Sequence, residues 1–460
     1  MISTTMFRRS AALLLAVATM GVMQLAPTAQ AAPVSDQLNA GGEYFPVDPV
    51  RVFDNKDDRL QGNDEIEVDV VGVSGIPESG VLAVAVNVTI ADAPGRGFVS
   101  VRPSDFDTGG EAGSSLLNFQ YEGHTVPNFG IIGVGADGKL TVQVESNVPG
   151  DARIIVDVFG FVATSSFDDA NDEGARMKTV TPERILDTRI GPVPAGYAIG
   201  NPLNVQETIT VPVRGQGPVP DDENVSAVVV NLTGINNREG NAQTYLAASA
   251  DPVPAGQAEA ESSSGNYPKG VVKASLAIVP MNDDGTISIF NRSGAIHVAL
   301  DVVGYLIEGV DQTSYTGRIV PLEAPFRSFD TRDAEFGNTK LGRSAWEEWS
   351  FEDFVNSVRL DDVAVGSQSG LFGNLTAVGL ERSDPTQPVK SFLTLNPTND
   401  DFDYTKQPGN SNLNFDEGGA VANSSIVTFG TRGEDDNMVS AYNANGRTHY
   451  ILDVYAVILD

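Results

Sequence analysis

Three aspartates stand alone in apolar runs, and carboxylates so placed are the first residues here to suggest acid–base chemistry. Asp157 lies in 154–160, Asp301 in 299–304 and Asp453 in 451–456. An arginine recurs in step with each, because Arg51, Arg184 and Arg327 open a second motif that in 184–189 reads Arg-Ile-Leu-Asp-Thr-Arg. Side chains alternate along a strand, so Asp301 shares a face with Ala299 and Val303 while Val298, Leu300 and Val302 fill the other. A charge in so apolar a run needs a partner, since burying it unpaired is very costly. The pairs Arg51–Asp157, Arg184–Asp301 and Arg327–Asp453 are expected as structural clamps joining the start and end of each block. A constellation written three times in one chain reads as a folding device, not a catalytic site.

The other polar candidates follow the same logic. Asn87, Asn231 and Asn374 sit in apolar strands, each with a threonine two residues on and on the same face. They are expected to hydrogen-bond a neighbouring loop, and burial argues against their Asn-x-Thr as a glycosylation acceptor. His297 and His449 precede Asp301 and Asp453 by four residues, but block one has Arg153 there. Arginine cannot replace a general base, so charge pairing near a strand end is the expected role. No Gly-x-Ser-x-Gly elbow, His-Glu-x-x-His helix or phosphate loop occurs, so no catalytic or cofactor-binding residue is assigned. The run 169–174 resembles half a calcium loop, but Val180 holds the place of the closing glutamate. Asp54/Asp57/Asp58 and Asp400/Asp401/Asp403 leave calcium as an open alternative with its ligands unknown. Carbohydrate binding would want exposed aromatics, and Trp346 and Trp349 are the two tryptophans, one of them expected in the core.

The elements that position these residues repeat with a long period. Asp54, Asp187 and Asp330 are 133 and 143 residues apart, which means tandem domains and not a solenoid. Block one runs over 44–162, block two over 179–306 and block three over 317–460. The acidic stretch 163–178 and the stretch 307–316 are expected as exposed linkers. Within each block come an alternating strand, a continuous apolar strand ending in Asn-x-Thr, and a strand ending near a proline. Blocks one and three add Leu-Asn-Phe at 117–119 and 413–415, then Asn128 or Asn423, where block two has Ala274. Asp137-Gly138 and Asp284-Gly285 are two-residue hairpin turns, and block three is expected to turn more loosely over 434–437. Short strands, 47 glycines and 26 prolines predict an all-β chain of three tandem sandwich- or barrel-like domains. The helix-like stretch 345–352 falls where the other blocks have a strand and is read as one.

Composition and the N-terminus bound the setting. Arg8-Arg9, an apolar run over 11–26 and Ala29-Gln30-Ala31 form a secretory signal over 1–31. The run is too short to span a membrane. Its removal takes away two arginines and no acid, which deepens the net charge from −32 to −34. That sign argues against nucleic acid and anionic lipid as partners. With no cysteine, the chain has neither disulfides nor thiolate metal sites.

The order of motifs over 44–460 resembles the tandem repeats of secreted actinobacterial surface proteins, whose pattern is R-x-L-D-T-R, N-V-T, L-N-F, V-x-N, D-G and D-V-V-G-Y. That family is an extracellular repeat without assigned chemistry. The resemblance implies a secreted, extracellular or cell-surface location and leaves activity open. The reading is a structural or binding protein, with cell-wall glycan or like subunits as partners. A carbohydrate-binding wall module and a calcium-dependent self-assembling surface layer are the alternatives.

Overall fold

The computed structural model describes residues 41–460 except 62, 74, 111, 165–166, 168–173, 237–241, 255, 261, 311–313, 358, 361–362, 365–366, 383–385 and 387–388. The signal segment 1–31 and the acidic run 168–173 lie outside the described residues. The fold is all-β, built of antiparallel sheets packed face to face.

Each block contributes an inner sheet of four strands, which we name by role. Opening strands are Gly42–Asp54, Arg176–Asp187 and Ile319–Asp330, and closing strands are Asp151–Thr164, His297–Ile307 and Arg447–Leu459. Central strands are Val81–Ala91, Val225–Ile235 and Gln368–Glu381, and edge strands are Val126–Gly133, Val272–Pro280 and Gly418–Thr428. The spatial order is opening, closing, central, edge in every block. An outer sheet lies over it, in block two Glu207–Pro212, Thr286–Asn291, Thr244–Ser249 and Gly265–Tyr267. The inner sheets of blocks one and three are continuous, because Gly42 pairs with Ile319 across the two opening strands.

The inner strands read as unbroken apolar runs because both of their faces are buried. In block two, Val228, Val230, Leu232, Leu300 and Val302 face the outer sheet and fill one core. Val229 and Val303 face the other way and join a second cluster that draws on all three blocks. There Ile131, Ile278 and Ile426 hold equivalent ladder positions, opposite Ala85, Val229 and Phe372. Phe129 of block one meets Phe372 of block three edge-on at 6.1 Å.

The opening strands begin together. Tyr44 and Ala175 exchange backbone bonds of 2.9 Å, and Met177 N–H donates to Gly317 O at 2.8 Å. Arg176 is fully buried, giving Nε to Glu43 at 2.6 Å and Nη1 to the Ser314 and Thr316 carbonyls. Residues 175–177, expected in an exposed linker, are therefore interior, because main chain from the two other blocks packs on them.

Two local readings of block three change. Ala345–Ser350 is a strand, but a short helix, Glu352–Ser357, follows it. The turn expected to be loose over 434–437 is a tight one at Gly433-Glu434, where Gly433 takes φ 64° and Arg432 pairs with Asp435.

Candidate functional site

The sheet order sets the recurring polar residues in a row across three neighbouring strands. Arg184 lies opposite Asp301, and Asp301 lies opposite Asn231 on its other side. Arg51–Asp157–Asn87 and Arg327–Asp453–Asn374 repeat the row. Each arginine grips its aspartate with two bonds, at 2.8 and 2.9 Å for Arg184, 2.9 and 3.3 Å for Arg327, and 2.8 and 3.2 Å for Arg51. The rows differ in burial. The Asp301 and Asp453 side chains are 1% and 0% exposed, whereas Arg51 is 51% exposed. Burial pushes the Asp301 carboxyl up, with Arg184 and the Ser411 amide pulling against it.

The Asp-Thr-Arg that follows each clamp arginine locks the corner. Asp187 accepts from the backbone, Nε and Nη2 of Arg189, and Arg332 holds Asp330 likewise. The Thr188 and Thr331 hydroxyls accept from the Val298 and Tyr450 amides and meet Nδ1 of His297 and His449 at 2.9 and 3.2 Å. Both histidines therefore engage threonine. Block one carries Lys56 in place of the corner arginine, and Arg153 supplies the guanidinium from the closing strand, at 2.8 and 2.7 Å from Asp54. Charge pairing accounts for Arg153, and hydrogen bonding for the two histidines.

What covers the rows comes from another block. Asn374 Nδ2 donates to Ser115 O at 2.5 Å, and the Ser115 amide donates to Asp453 at 3.0 Å. Asn128 Nδ2 then reaches Asn374 Oδ1 at 3.0 Å. Block three treats block two in the same way: Asn231 donates to Ser411 O, the Ser411 amide faces Asp301, and Asn423 donates to Asn231 at 3.1 Å. The edge of block one thus docks on the face of block three, and the edge of block three on the face of block two. Block two docks on block one and closes a ring of head-to-tail seams. The sequence reading found the asparagines but missed the serines. Their signal was legible, since Ser115, Ser263 and Ser411 each stand two residues before an x-Asn-aromatic triplet.

The third seam is built differently. Ladder register puts Ser275, opposite Leu232, in the place of Asn128 and Asn423, so the earlier alignment with Ala274 is off by one residue. Gly265-Asn266-Tyr267 stands where the others have Leu-Asn-Phe. Gly265 is required there, because a Cβ would lie 2.5 Å from both the Tyr267 hydroxyl and Ser275 Oγ. Asn87 reaches Ser263 O only at 3.5 Å, and among the described residues Ser263 sends no amide bond to Asp157. Lys273 Nζ crosses to Pro127 O at 3.5 Å, its pKa lowered to about 8 by burial. His124, stacked on Tyr121 at 4.3 Å, is lowered to about 4 by burial and by Lys273. A cavity of about 20 Å³ remains, lined by Asn87, Phe129, Phe159, Ser263, Leu276 and Ile278 among others.

Trp346, Trp349, Asp54, Asp400 and Asp403 are engaged structurally. Trp349 stacks on Phe329 at 5.4 Å and donates to the Tyr450 hydroxyl at 2.6 Å. Trp346 lies on the outer sheet among Phe402, Tyr404 and Tyr442. Asp54 is taken by Arg153, while Asp400 and Asp403 accept backbone amides of Gly433 and Thr405. Among the described residues no three His, Asp or Glu side chains gather as a metal site. No described helix is long and apolar enough to cross a membrane.

No protein-family model matches the chain. No curated protein matches it either. Among solved structures, a chain of Sulfolobus Turreted Icosahedral Virus is similar at 9% identity and a TM-score of 0.15, over 86% of this chain and 83% of that one. A likeness at that level carries no argument. The all-β fold itself fits a structural protein.

Proposed function

We propose that this is a secreted, non-catalytic protein of the cell surface or its surroundings, acting as a structural or binding module. The observation that supports the reading most is the use made of the recurring Arg, Asp and Asn. In blocks two and three these residues spend their hydrogen bonds on one another and on the next block, which leaves them no free nucleophile or proton carrier. Fractionation of the producing cells tests the location. Exported protein beginning at Ala32 is the expected result, and material that stays in the cytoplasm with Met1 intact would reverse it.

Binding to cell-wall glycan is the second reading, favoured by the aromatic group around Trp346 and by the cavity in the third seam. Calcium-dependent self-assembly is its competitor, favoured by 61 acidic residues against 29 basic ones. Wall pull-down, and sedimentation with and without calcium, separate the two.

A further inference from the structure

The three seams are built to one plan, so two of them reveal what chemistry the third accepts. In the closed seams the central-strand asparagine offers its carbonyl to an amide N–H, that of Asn128 on Asn374 and of Asn423 on Asn231. Asn87 carries the same carbonyl at the same place in its row. Ser275 is too short to reach it, and among the described residues Asn87 Oδ1 accepts no bond. Asn87 is nonetheless only 6% exposed and lines the cavity. Its carbonyl opens on that confined space and not on bulk solvent, so a ligand N–H arriving there meets less competition from water than one meeting a fully exposed carbonyl.

We propose that the seam between blocks one and two binds the acetamido group of an N-acetylated sugar. This deepens the glycan-binding reading and rests on it. The N–H of the ligand takes the role of the Asn128 and Asn423 side chains and donates to Asn87 Oδ1. The acetyl methyl enters the space between Phe129, Phe159 and Ile278, which are apolar and line the same cavity. Size makes the choice among amides. The cavity of about 20 Å³ admits roughly one water-sized group, so a tip enters and a ring stays outside. An acetamido group ends in a methyl and fits end-on. A peptide amide is flanked by Cα on both sides and does not.

The test titrates the full-length mature chain with N-acetylglucosamine, glucosamine, glucose and a glutamine-containing peptide, followed by NMR or calorimetry. Saturable binding of N-acetylglucosamine alone is expected. Asn87→Ala should weaken it about tenfold or more, the scale of one lost hydrogen bond. Ser275→Asn should do the same by filling the site with a carboxamide of the chain, and unfolding midpoints near the parent's would show both variants folded. Equal binding of glucose, preference for the peptide, or unchanged affinity in both variants would overturn the proposal. Cell-wall binding that survives Asn87→Ala would also overturn this site while leaving the wider glycan reading in place.

Discussion

Asn128 and Asn374 are 246 residues apart in the chain, yet the amide of one donates to the carbonyl of the other at 3.0 Å in a buried seam. The bond lies between repeats, not within one. The recurring residues therefore have a double task, pinning each sandwich shut and presenting a surface that the next sandwich recognises.

Clamp strength should follow burial. Asp301→Ala takes both short bonds from the largely buried Arg184, leaving it Asp187 at 3.3 Å, and should cost roughly 3 kcal/mol, whereas Asp157→Ala frees the half-exposed Arg51 and should cost about 0–1 kcal/mol. Urea unfolding of the full chain measures both. Adding Arg184→Ala to Asp301→Ala should cost little more, and simple additivity would show that the pair does not act as a unit.

The seams should rank as well. Asn423→Ala removes the donor to the buried Asn231 carbonyl and should destabilise by about 1–3 kcal/mol. Ser275→Ala, at the matching place in block two, should change the same unfolding curve much less.

Arg153 offers a rescue experiment. Arg153→Ala should loosen the block-one corner by removing both bonds to Asp54, and Lys56→Arg in the same chain should restore it, as Arg189 does for Asp187. Amide exchange near Asp54 reads the result. No recovery in the double variant would sink the equivalence of the two arginines.

Acid should weaken the third seam through His124. Its pKa falls from an ordinary 6.5 to about 4 on folding, so the unfolded chain binds this proton first. The destabilisation it causes is absent above 6.5 and grows as pH drops toward 4. Lys273 adds the mirror effect at the alkaline end: lowered from 10.5 to about 8, it lets stability rise as pH goes from 8 to 10.5. His124→Gln should flatten the acid limb relative to the parent, and identical limbs would refute the assignment.

Much of the fold was legible because strand physics is local. Alternation alone places Asp301 and Val303 on one face and Leu300 on the other, and the unbroken apolar runs announce strands buried on both sides. The ring was not legible. Ser115 and Asp453 meet across 338 residues, and no period-two pattern encodes such a contact. Residues 175–177 were misjudged for the same reason, since acidic and glycine-rich neighbours signalled exposure while distant main chain imposed burial. Ser275 was misaligned because the edge strand of block two lacks the asparagine that marks the other two.

Closing the ring within one polypeptide has a consequence for life in a dilute medium. Three separate subunits meeting through such seams would dissociate as their concentration fell. Tethered, each partner is held at an effective concentration on the order of millimolar, whatever the volume outside. Covalent linkage also ends the equivalence that a homotrimer must keep, so one seam can lose an asparagine while the other two hold the assembly together.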